Sequence, residues 1–138
     1  MGKLAAYAIL LLLFGGLTAK ASLSPMTGAI LLGAETVYRS DSAWETLDRN
    51  LRRIATQVGE ACLLTEHYRY RTGLSYLNVS MLQDELRRSG WRVEEIVSYI
   101  PFSSNPAVWL ASKRRDIVIV LLLPVSTGVG YVSFCLIS

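Results

Sequence analysis

The chain has 138 residues, 51% hydrophobic and 18% charged, with a formal net charge of +3 at pH 7. That composition is too apolar for a disordered chain, and the length fits one domain rather than two. Without Lys3 and Lys20, which fall in the leader described next, 14 Lys+Arg become 12 against 11 Asp+Glu. No global field then steers the chain to nucleic acid or anionic lipid, and collagen-like and linker readings are excluded.

Met1-Gly2-Lys3 is a short positive start, and Leu4 to Leu17 runs without charge or strong polarity. Ala19-Lys20-Ala21 supplies small residues at the last and third-last positions of a cleavage site. The segment resembles a secretory signal peptide, cut after Ala21, with residues 1–21 removed. An uncleaved anchor needs about 20 apolar residues, more than this run offers before Lys20. The chain is therefore expected to be exported, to a periplasmic or extracellular space. Its only cysteines, Cys62 and Cys135, then read as one disulfide, with two buried thiols as the alternative.

Residues 22–40 mix Ser, Pro, Thr and Gly around a short apolar stretch, Ala29 to Leu32. They read as a lead-in segment or an added strand before a single domain over 41–138. Ser42-Ala43-Trp44-Glu45 has the capping-box form, and Trp44, Leu47, Leu51, Ile54 and Val58 recur at spacings of three and four. This predicts an amphipathic helix ending near Gly59, with Glu45–Arg49 and Asp48–Arg52 as i,i+4 pairs on its outer face. From Ala61 to Asn78 the period changes. If the segment is extended, Tyr68 and Tyr70 point one way and His67, Arg69 and Arg71 the other, with Thr72-Gly73 a turn and Leu74 to Leu77 a returning strand; a continuation of the first helix through Leu64 is the alternative.

Ser80-Met81-Leu82-Gln83 is a second capping box, and Gly90 closes the helix it opens, with Leu82 and Leu86 facing inward. Strands are expected at Trp91 to Tyr99, before Pro101, and at Ala107 to Ser112. Lys113-Arg114-Arg115-Asp116 forms a hairpin turn into Ile117 to Leu123, Pro124 stops that strand, residues 126–130 form a loop, and Tyr131 to Ile137 completes the sheet. The fold class is α+β: two amphipathic helices packed on one face of an antiparallel sheet of about four or five strands. Residues 117–138 carry no charge, a length that also fits a membrane span. Pro124, Gly128, Gly130 and the β-branched composition favour a buried hairpin instead.

For chemistry, the sole His, His67, has Glu60, Cys62 and Glu66 near it, without the paired spacing of a metal site. No metal or cofactor is expected. Gly128-Val129-Gly130 lies between strands, out of context for phosphate binding, and Asn78-Val79-Ser80 fits a glycosylation acceptor but also a helix start. His67-Tyr68-Arg69-Tyr70-Arg71 has interaction character: aromatic and basic residues alternate, although a strand burying Tyr and exposing Arg produces the same pattern. The expectation is a non-catalytic binding, accessory or structural module, with Tyr68, Arg69, Tyr70 and Arg71 as its binding segment and an acidic polymer or acidic protein as partner. The alternatives are a small hydrolase or thiol enzyme using His67 and Cys62, and a domain tethered through 117–138.

Overall fold

The computed structural model describes residues 21–71, 79–95, 107–125 and 128–137. In chain order these form β1 (Ala21–Leu23), β2 (Ile30–Leu32), β3 (Ala34–Thr36), α1 (Ser42–Gln57), β4 (Leu64–Arg71), α2 (Val79–Arg88), β5 (Arg92–Glu95), β6 (Ala107–Lys113), β7 (Asp116–Val125) and β8 (Val129–Leu136). Strands β1 and β2 pair as a separate hairpin, and the other six form one sheet in the order β3-β4-β8-β7-β6-β5. Every pairing is antiparallel. The class is thus α+β with an antiparallel sheet, but the sheet has six strands rather than four or five.

The two helices do not share a face. Alternation along paired strands puts Val108, Leu121, Ser133 and His67 in one row, and Trp109, Val120, Phe134 and Glu66 in the row pointing the other way. Leu51, Ile54 and Ala55 of α1 cluster with Val108, Ile119, Leu121 and Cys135. Leu82 and Leu86 of α2 cluster with Trp109, Val118, Val120, Leu122, Val132 and Phe134, and with Ala29 and Leu31 from the β1–β2 hairpin. The sheet is therefore the middle of three layers. The one-face arrangement fails because β7 is apolar at successive positions: Val118 to Leu122 are all at most 5% exposed, and both sides need cover.

The stretch 22–40 contributes three short strands to this architecture. Glu66 ties it down, accepting hydrogen bonds from Ser24 Oγ at 2.6 Å, from the Met26 backbone N–H at 3.1 Å and from the Tyr68 hydroxyl at 3.0 Å. Helix α1 is capped one residue earlier than expected: Asp41, not Ser42, accepts from the Ala43 N–H at 2.9 Å. Helix α2 begins at Val79, so Ser80 lies inside its first turn. Its C-terminal end is closed by Gly90 at φ 93° and by Lys113 Nζ, which donates to the Ser89 carbonyl at 2.8 Å. Strand β7 runs through Pro124 to Val125, because Pro124 pairs with Gly130 of β8 beyond the last described residue that β6 pairs, Leu122. The uncharged C-terminal run is a hairpin, β7 and β8, in the centre of the sheet. Among the described residues no helix is long and apolar enough to cross a membrane.

The leader, the expected turn at Thr72-Gly73, the strand at Leu74 to Leu77, Asn78, Val97 to Pro101 and residues 126–127 lie outside the described residues.

Two substitutions check this packing. Val120 is fully buried, so Val120→Asp places an unpaired charge in the core. The cost of several kcal/mol approaches a typical total stability of about 5 to 15 kcal/mol, and circular dichroism should report an unfolded chain. A Cβ at Gly130 would overlap the Tyr70 ring. Gly130→Ala should lower stability by about 1 to 3 kcal/mol in urea titration, and an unchanged midpoint would show that the ring does not pack there.

Candidate functional site: a sealed histidine and an arginine–aromatic surface

His67 sits on β4 facing α1, opposite Ser133 of β8. Its Nδ1 lies 2.7 Å from Ser133 Oγ and its Nε2 3.0 Å from Asp48 Oδ1. Asp48 reaches it because α1 turns that position inward, one turn after Trp44 and three residues before Leu51. The Asp48–Arg52 pair does form, at 2.8 Å, but Asp48 is buried at 7% exposure rather than on the outer face. The Thr65 hydroxyl also donates to Asp48 Oδ1 at 2.6 Å, and Arg52 Nη1 donates to the Cys62 carbonyl at 3.2 Å. The Trp44 ring closes the cluster edge-on against His67, with centroids 5.6 Å apart.

This set has the residue types of a hydrolase triad, but its arrangement is that of a core tie. Asp48 is the acceptor available to Nε2–H, which leaves Nδ1 to accept from the Ser133 hydroxyl. The nitrogen facing the serine is therefore not the one used in the familiar serine hydrolases. More decisively, His67 and Ser133 are each 1% exposed, so neither presents a face to a substrate. Burial holds His67 below its ordinary value of 6.5, against the opposing pull of Asp48. For Asp48, burial raises the pKa, but hydrogen bonds from Thr65, Arg52 and His67 outweigh it and the carboxyl stays below its ordinary 3.8.

Cys62 and Cys135 are joined as a disulfide, with Cα atoms 5.3 Å apart. The bonded sulfur leaves no thiolate to attack a substrate, which removes the thiol-enzyme arrangement. Glu66 neighbours His67 on an extended strand and so points to the opposite face, where it holds the hairpin. Glu60, Cys62, Glu66 and His67 are thus not brought together, and no group of three or more His, Cys, Asp or Glu converges among the described residues.

The binding segment divides between the two faces. Tyr68 and Tyr70 are 2% and 4% exposed and belong to the core beneath the hairpin and α2, so their rings are not open to a ligand. Arg69 and Arg71 point to the α1 side, where Arg71 is exposed and Arg69 half-buried. The aromatic partners on that side are different residues. The Arg69 guanidinium lies 5.6 Å from the Tyr131 ring and the Arg39 guanidinium 5.2 Å from the Trp44 ring. Arg69 also donates to Asp41 at 2.8 Å. The Ala43 N–H, and then Arg69, hold the Asp41 carboxyl below its ordinary value. Tyr38, on the same β3–α1 connection, is also exposed, and it lines a shallow depression with Ala21, Ser22, Ala34, Glu35 and Thr36. Tyr131 was visible in the sequence as a strand residue and Trp44 as a helix-face residue. Their meeting with Arg69 and Arg39 depends on tertiary pairing that no local motif records.

Comparison of the chain with protein-family models, with curated proteins and with solved structures finds no match.

The sealed histidine has a pH signature. The unfolded chain takes a proton on His67 as pH falls through 6.5, while the folded chain resists it, so stability should decline from there downward. Asp48 adds a second loss below 3.8, where the unfolded carboxyl is protonated before the folded one. Urea midpoints measured from pH 8 to pH 3 should fall, and His67→Gln should remove the part of the loss that begins near pH 6.5. The disulfide spans 73 residues, and Cys62→Ala/Cys135→Ala should cost about 4 kcal/mol in the same titration.

Proposed function

We propose that the protein is an exported, non-catalytic binding module that holds an acidic polymer through Arg39, Arg69 and Arg71, with Trp44 and Tyr131 as their supporting rings. The observation that carries this reading is the division of β4: its tyrosines are consumed by the core, while its arginines emerge together on the α1 face. Successive same-side positions on a strand are roughly 7 Å apart, so Arg71 and Arg69, the latter paired with Asp41 and opposite Glu35 in the register, present an extended row rather than a pocket for one small anion. Ring contacts restrict the guanidinium groups, which lowers the entropy lost when they engage carboxylates or phosphates. Export is supported by the leader sequence and fits a disulfide, which persists in oxidising compartments.

A hydrolytic reading would rest on the Asp48–His67–Ser133 string. It is the weaker one, because both reacting groups are enclosed.

Binding to polyglutamate, followed by fluorescence anisotropy, tests the proposal. Arg69→Ser/Arg71→Ser should weaken it by about tenfold and flatten its dependence on salt, in a chain that stays folded although it loses the Arg69–Asp41 pair. A folded double variant that binds like the parent rejects this surface. Export has its own check: N-terminal sequencing of the protein recovered outside the cytoplasm should begin at or near Ser22, and an intact Met1 on cytosolic protein would reject it.

A further inference from the structure

Strand β5 ends the six-stranded sheet, and among the described residues only β6 pairs with it. The ladder tells which of its backbone groups are left over. The Ile137 N–H donates to the Ile117 carbonyl at 2.9 Å, so the odd-numbered residues of β7 bond toward β8 and the even-numbered ones toward β6. Carried through the register, Lys113 with Asp116 and then Ser112 with Arg92, the same alternation gives Arg92 and Glu94 the bonds to β6. Val93 is left with its N–H and C=O directed outward from the sheet edge. The opposite edge differs: the Ala34 carbonyl, on the side of β3 away from β4, already accepts from Ser22 Oγ at 2.7 Å.

The side chains along the β5 edge are their own complement. Arg92 and Glu94 project on the α1 side with side chains 81% and 58% exposed, and within one chain they approach only to 3.5 Å. Val93 projects on the α2 side, half-buried against the core. A strand lying antiparallel beside this edge has to set an acid opposite Arg92 and a base opposite Glu94. A second copy, turned about a two-fold axis at Val93, supplies them from its own Glu94 and Arg92. The two Val93 residues then face each other and exchange a pair of N–H···O bonds through their outward groups. Arg92 and Glu94 fall at the closer, non-hydrogen-bonded positions, where opposite charges attract across the strands. An edge bearing charges of one sign repels its own copy, and this edge lacks that protection.

We propose that the chain self-associates through β5, as an antiparallel two-fold pair centred on Val93 that joins two sheets edge to edge. The pairing is weak and concentration-dependent, because a strand of four residues buries far less surface than a permanent dimer needs. It does not depend on the arginine surface binding an acidic polymer, since β4 lies four strands away from β5.

Sedimentation velocity of the full chain, from micromolar to millimolar concentration, tests this. The parent should shift from monomer toward dimer as concentration rises, and less so at high salt. Arg92→Glu sets like charges opposite each other at both symmetry-related positions, and so does Glu94→Arg. Each should weaken association on the order of tenfold, with an unchanged circular dichroism spectrum. An equimolar mixture of the two variants again sets opposite charges face to face, so mixed dimers should form at the parent's level. Arg92→Glu/Glu94→Arg in one chain should likewise recover the parent's association. A parent that stays monomeric throughout overturns the proposal. Association that neither single variant changes belongs to another surface and overturns it too, as does a mixture that remains as monomeric as its components.

Discussion

Burial of the central strand on both of its faces is the constraint on which the rest of this fold depends. A strand with five successive buried residues, Val118 to Leu122, has no side left for water. One helix cannot satisfy it. Helix α1 covers the row of Ile119 and Leu121, and α2 with the β1–β2 hairpin covers the row of Val118, Val120 and Leu122. The hairpin is thus a structural layer, although its strands have three residues each. The same demand explains why β8, beside β7, carries Ser133 as a buried polar residue: the side chain is tolerated only because His67 meets its hydroxyl.

The polar tie across the α1 interface gives that layer a fixed register. Hydrophobic contacts between a helix and a sheet are tolerant of sliding, whereas Asp48 has to meet Thr65, Arg52 and His67 at once. Removing one partner would leave buried polar atoms unsatisfied at about 1 to 3 kcal/mol each, so the cluster favours one seating of α1 over its neighbours. Cys62–Cys135 fastens the same region covalently, with Arg52 bridging from Asp48 to the Cys62 carbonyl.

Much of this was readable in the amino-acid order, and what was missed has physical reasons. The three- and four-residue spacing of Leu47, Leu51 and Ile54 located α1, and the unbroken β-branched run located β7, because both signals are periodic over many residues. That run already implied cover on two sides, yet placing both helices on one face ignored it. Strands β1 to β3 were foreseen only as one added strand, the alternative to a lead-in, because three residues are too few to establish an alternation. Asp48 escaped because its spacing to Arg52 matches a surface ion pair. The contrary signal was its place on the apolar stripe, four residues after Trp44 and three before Leu51. The alternation of Tyr68 to Arg71 correctly separated rings from cations, but which rings would accompany the arginines depended on β8 and the β3–α1 connection.

The covalent link also divides the molecule mechanically. Tension entering at Ala21 first meets β1 and β2, held to the sheet through Glu66, and then β3, paired with β4 over only three residues. These pieces can peel away one after another, and α1 after them, until the load reaches Cys62. There it passes through the sulfurs to Cys135 near the other end of the chain, bypassing β4, α2 and the strands between them. A chain pulled from its two ends would lengthen by shedding its outer pieces while the central sheet remained closed.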